Sequence, residues 1–203
     1  MLRRDSLMYF GFLFLSVCLC MADSGVRAEV KPLVVEGAPF PLTVSEWTPP
    51  ARDFPITAYG AKEDGKPVTE AIEAAIDAAA KSGGGRVVLP PGEWLSGAFR
   101  LKGNVALVVE KGATLHFPDD PVIVMRAPLQ PSGRPTMTHQ ALIGANSCTN
   151  VAVMGDGTIL SDVAYWHDNF MINPQRGFPR PQVMHFERCK NVRVEGVKVR
   201  GSP

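Results

Sequence analysis

Cysteine is scarce in this chain, four in 203 residues, and two of the four, Cys18 and Cys20, fall near the N-terminus. The remaining pair, Cys148 and Cys189, is too small a set for a disulfide framework or a four-cysteine zinc site. Charge of one sign is also lacking: 21 Lys and Arg stand against 20 Asp and Glu. Without a basic excess there is no electrostatic footprint for nucleic acid or for an anionic membrane. The histidines, His116, His139, His167 and His185, show no metal-ligand spacing, and no acidic cluster looks like a calcium cage. The sequence therefore calls for no metal and no cofactor.

Long hydrophobic runs are confined to the start of the chain. Arg3 and Arg4 precede an apolar run from Leu7 to Met21, and Val26-Arg27-Ala28 places short residues at a cleavage position. The run falls short of the roughly 20 apolar residues that span a bilayer. Residues 1–28 thus read as a signal peptide, and the mature protein as exported, periplasmic or extracellular, without stable membrane insertion. Cleavage would remove Arg3, Arg4 and Arg27 with Asp5 and Asp23, leaving the mature chain formally neutral.

Residues 29–52 carry Pro32, Pro39, Pro41, Pro49 and Pro50 and read as an extended lead-in that lies along something else. Next, Ile72, Ala75, Ile76 and Ala79 recur at helical spacing, with Glu70, Glu73, Asp77 and Lys81 facing outward. Thr69 is the expected N-cap and Gly83-Gly84-Gly85 the stop. That triplet ends a helix and no Lys-Ser/Thr follows, so it is not a phosphate loop.

After the helix come only short strands, and they repeat. ALIGANSCTNVAVMGDGTI, from Ala141, lies over QVMHFERCKNVRVEGVKV, from Gln182, which sets Cys148 over Cys189, Asn150 over Asn191, Val151 over Val192 and Val153 over Val194. Asn104-Val105-Ala106-Leu107 is an earlier copy. The spacing predicts an all-β, right-handed parallel β-helix over 53–203, capped by the helix, in which each Val faces one continuous core. Asn suits the sharp turn because it tolerates the left-handed conformation and its amide can bond the Asn stacked above. Cys148 and Cys189 would stack at about the 4.8 Å strand spacing, near but not ideal for a disulfide; a ladder of two small buried hydrophobes is the favoured reading. A repeat that stops on a strand is expected to be incomplete at its C-terminal side. Arg126–Gln140 and Ser161–Pro181 break the pattern and read as loops lining a groove.

These residues resemble the pectin-degrading glycosidases of glycoside hydrolase family 28, the polygalacturonases and their exo-acting relatives. AYGAKEDG with TEAIEAAIDAAAKSGGGRVVLPPGEWLSGAFRL looks like their opening, and NVALVVEKGATL, NVAVMGDGTI and RPQVMHFERCKNVRVEGVKVRGSP look like their successive turns. The resemblance implies inverting hydrolysis of a galacturonic-acid backbone in a pectic polysaccharide or oligogalacturonide, by two carboxyl groups roughly 6.5–9.5 Å apart. The family's N-T-D, D-D, G-H-G and R-I-K motifs have no counterpart here. Asp119-Asp120, the only Asp-Asp pair, lies in FPDDP and reads as a solvated turn. No catalytic residue is therefore assigned, and this chain alone is expected to be inactive and monomeric. The substrate-binding candidates are Trp166, by stacking on a sugar face, Arg180, by pairing with a carboxylate, and His185, which alternates outward on its strand. A non-catalytic carbohydrate-binding β-helix and a pectate-lyase-like enzyme are the rival readings.

Overall fold

The computed structural model describes residues 29–33, 39–40, 42–125, 141–172 and 181–203. The lead-in is more ordered than expected: β1 (Glu29–Leu33) and β2 (Leu42–Glu46) form an antiparallel ribbon with Glu29 opposite Glu46. Trp47 follows and is buried against Ala106 and Ala152.

After β3 (Asp53–Pro55) and a 3-10 turn (Ile56–Tyr59), α1 spans Thr69–Lys81. Its buried stripe is Ala71, Ile72, Ala75, Ile76 and Ala79, the helical spacing read from the sequence. Thr69 is not the N-cap. Val68 holds that position without a side-chain bond, while Thr69 is the first helical residue and is buried. Its Oγ1 accepts the Gly97 N–H at 2.7 Å, which ties the helix to the strand region instead. At the other end Gly83 adopts φ 85°, and the Gly84 N–H returns to the Ala79 carbonyl at 2.9 Å. Only glycine takes that backbone without strain.

The remaining strands are β4 (Gly85–Leu89), β5 (Gly92–Leu95), β6 (Phe99–Arg100), β7 (Val105–Val109), β8 (Ala113–Phe117), β9 (Ile143–Asn146), β10 (Thr149–Met154), β11 (Thr158–Ser161), β12 (Met184–Glu187), β13 (Lys190–Glu195) and β14 (Lys198–Arg200). Short helices α2 (Pro121–Met125) and α3 (Ala164–Ile172) interrupt them. Every third strand returns to the same sheet, giving the orders β13-β10-β7-β4-β3, β14-β11-β8-β5 and β12-β9-β6, all parallel. This mostly-sheet arrangement is consistent with a parallel β-helix.

The register follows the sequence repeat: Val105, Val151 and Val192 align, as do Leu107, Val153 and Val194. Leu115, Ile159 and Val199 form the matching row of the second sheet. The first two members of each row are fully buried, because a rung lies on either side of them. Val192, Val194 and Val199 are 40%, 49% and 48% exposed, since no described residue lies over them. Asn104, Asn150 and Asn191 all have φ between 55° and 62° and form the expected amide ladder, each link 2.8 Å.

Candidate functional site

The outer face of the β6-β9-β12 sheet carries exposed polar side chains, Arg100 on β6 and His185 and Glu187 on β12. Side chains alternate across a strand, so burial of Phe99 and Ile143 in the core turns Arg100, Gly144 and His185 outward. These three occupy one register row. Gly144, between them in the row, is buried: the position a Cβ would take lies 3.7 Å from Arg100 Nη1 and 3.9 Å from both Arg100 Cγ and the His185 carbonyl oxygen, so the Arg100 side chain lies across the glycine. Arg100 is exposed and has no acidic partner among the described residues. The next outward row is occupied internally: Asn146 Nδ2 donates to Glu187 Oε2 at 2.7 Å and Arg188 Nη2 to Glu187 Oε1 at 2.8 Å. Glu187, with both oxygens engaged, is no free acid or base here. Residues 126–140 lead directly towards β9 and 173–180 towards β12, so both departures from the repeat flank this sheet in sequence.

His185 is exposed on β12, facing outward as its alternation predicts. Trp166 is placed differently from expectation. The stretch read as a loop from Ser161 contains α3, and Trp166 is 1% exposed within the core cluster, its ring edge-on to Tyr165 with centroids 5.2 Å apart. A ring sealed on both faces cannot stack on a sugar, so its role in this structure is packing. Arg180, like the Arg126–Gln140 segment, lies outside the described residues.

Asp119 and Asp120 are engaged in structure. Asp120 Oδ1 accepts the Val122 N–H at 2.8 Å at the start of α2, and Asp119 Oδ2 accepts the Tyr165 N–H at 3.3 Å at the start of α3. They anchor two helices rather than present a carboxylate pair.

Two polar features escaped the sequence reading. Arg100 is one; its signal was the repeat itself, which carries the outward position of His185 back to β6. The other is a pair on the second sheet, where His116 Nε2 lies 2.8 Å from Asp162 Oδ2, both partly exposed. Those residues lie 46 apart, the same interval that separates Asn104 from Asn150. A separate groove of about 290 Å³, lined by Tyr59, Lys62, Asp64, Lys66 and Glu70, lies beside α1. Its mixed charges give it no preference for an acidic ligand.

The fold defines a class of structure, stacked parallel strands in three sheets. No family model matches the chain. Over 166 residues, 75% of this chain and 33% of the relative, it is 26% identical to a probable polygalacturonase of Vitis vinifera. A shorter stretch of 65 residues, 28% of this chain and 8% of the relative, is 46% identical to alginate lyase 7 of Azotobacter vinelandii. Among solved structures, a hyperthermoactive exopolygalacturonase from Thermotoga maritima superposes with a TM-score of 0.56 at 27% identity, covering 75% of this chain and 42% of that one. Within that likeness, the chain is similar in sequence and in fold to polygalacturonases. It spans a third or less of the curated relatives it matches.

Proposed function

We propose that these 203 residues form the exported, substrate-holding part of a polygalacturonase-type glycosidase, folded as a right-handed parallel β-helix. The observation that carries this reading is the row Arg100, Gly144, His185 on the outer face of β6-β9-β12. An exposed guanidinium without an acidic partner among the described residues suits a polymer that bears a carboxylate on every sugar. Arg180, four positions before β12 begins at Met184 in the sequence, is proposed to pair with a substrate carboxylate. The working enzyme has further rungs over Val192, Val194 and Val199, whose exposure supports that reading. Hydrolysis then depends on carboxylates outside these residues, since the family's catalytic motifs have no counterpart in the chain and its one Asp-Asp pair, Asp119-Asp120, is engaged in structural bonds. The chain is monomeric and holds pectic galacturonan, the substrate of the working enzyme.

Affinity electrophoresis of the full chain through polygalacturonate tests this. Retardation is expected, weakened by Arg100→Ala and by His185→Ala, with no release of reducing ends. Unretarded migration sinks the binding role, and strong release of reducing ends sinks the assignment of catalysis to other residues. The 65-residue likeness to an alginate lyase favours a second reading, polysaccharide elimination. That chemistry would yield an unsaturated product absorbing in the ultraviolet, which hydrolysis does not.

A further inference from the structure

The two thiols of the repeat take no part in the proposed function, yet the fold brings them together. Cys148 directly precedes β10 and Cys189 directly precedes β13, and the following residues, Thr149 and Lys190, are register partners. The Lys190 N–H donates to the Cys148 carbonyl at 2.9 Å, so the ladder is already closed at this level. Stacked residues on adjacent parallel strands have Cα atoms about 4.8 Å apart, inside the span of about 4.4–6.8 Å that a disulfide bridges.

Their side chains point the same way. Cys148 Sγ lies 3.2 Å from the carbonyl oxygen of Asn146, and Cys189 Sγ lies 3.3 Å from that of Glu187, the residue registered with Asn146. Both cysteines are half-buried, not sealed in the core as the sequence suggested, so a small oxidant can reach the rim where they sit. Each follows a residue with φ 52°, Ser147 or Arg188. They therefore occupy bends between strands, where the backbone can absorb the small closure from strand spacing to the Cβ separation of a disulfide, about 3.8 Å.

We propose that Cys148 and Cys189 form a disulfide that clamps the β12-β13 rung onto the β9-β10 rung. The oxidant is a disulfide donor of the exported compartment, so the state of the protein in the cell rests on the export reading above. The Cys189 thiolate attacks one sulfur of the donor; the donor S–S bond breaks, and one half leaves as a thiolate that takes up a proton. Cys148 then loses its proton, attacks the Cys189 sulfur and expels the second half. Two protein thiols are oxidised and one donor disulfide is reduced to two thiols.

The test incubates the full chain with oxidised glutathione, alkylates the remaining thiols and maps peptides by mass without reduction. A linked peptide pair, lighter by two hydrogens than the two thiol peptides, is expected between Cys148 and Cys189, distinct from any link to Cys18 or Cys20. In Cys148→Ser, Cys189 is expected to hold glutathione as an unresolved mixed disulfide. Full alkylation of both residues in the folded wild-type chain overturns the proposal, as does linkage only between two chains. If the pair closes with glutathione but stays reduced in protein isolated from its natural host, the export reading fails and the pairing stands.

Discussion

Asn150 donates its amide to Oδ1 of Asn104 at 2.8 Å, and both residues hold the left-handed backbone conformation at φ 61° and 62°. One side chain thus meets two demands of a stacked turn: it tolerates a conformation most residues avoid, and it bonds the rung beneath. Asn191 repeats the contact on Asn150. Replacing Asn150 with Ala removes both contributions and is expected to cost about 2–3 kcal/mol, with Asn150→Gly recovering about 1 kcal/mol by relieving the backbone strain. Denaturant unfolding of the two variants checks the order; equal losses would show that the strain is negligible.

Trp166 offers a direct separation of packing from binding. Trp166→Ala should lower stability by about 3–5 kcal/mol, the usual cost of emptying a buried aromatic site. Under conditions where the variant remains folded, its affinity for polygalacturonate should match the parent chain. A selective loss of affinity without loss of stability would restore the sugar-stacking role.

Two glycines with positive backbone φ should respond unequally to substitution. Gly60 has φ 95° and open space where a Cβ would stand, whereas at Gly155, φ 116°, a Cβ would collide with the Val109 carbonyl oxygen. Gly60→Ala should cost roughly 1–2 kcal/mol from backbone strain alone. Gly155→Ala must also push two rungs apart and should cost distinctly more, read as a lower thermal midpoint.

Burial, together with the neighbouring Cys189, raises the Cys148 thiol above its ordinary range. A group whose folded value exceeds its unfolded one contributes fully below the unfolded value, and that contribution is lost as pH rises through the folded value. The reduced chain should therefore lose stability across alkaline pH, and alkylation of Cys148 should accelerate only above the pH expected for a free thiol. Cys148→Ser should flatten this part of the stability profile.

The repeat was legible because it is written twice in the same terms: Cys, Asn and alternating Val recur, and the register pairs them as the overlay does. The helix was legible from its apolar spacing, but its cap was not. Thr69 looks like an N-cap by type, and only the approach of Gly97 gives its hydroxyl a stronger use inside the fold. The α3 helix escaped notice because its apolar residues follow no helical period that the sequence displays, and its order depends on burying Trp166 and on the Asp119 contact to Tyr165.

Sequence alone determined the strand repeat, the left-handed Asn turns and the family resemblance, because these rest on local conformational preference and on a period that recurs along the chain. Tertiary structure decided which outward residues meet. Arg100 and His185 are 85 positions apart, yet share a row because the chain returns to the same sheet with every third strand. The same stacking brings Cys148 beside Cys189 and hides Trp166, since burial and lateral contact depend on what lies on the next rung, which no local pattern specifies.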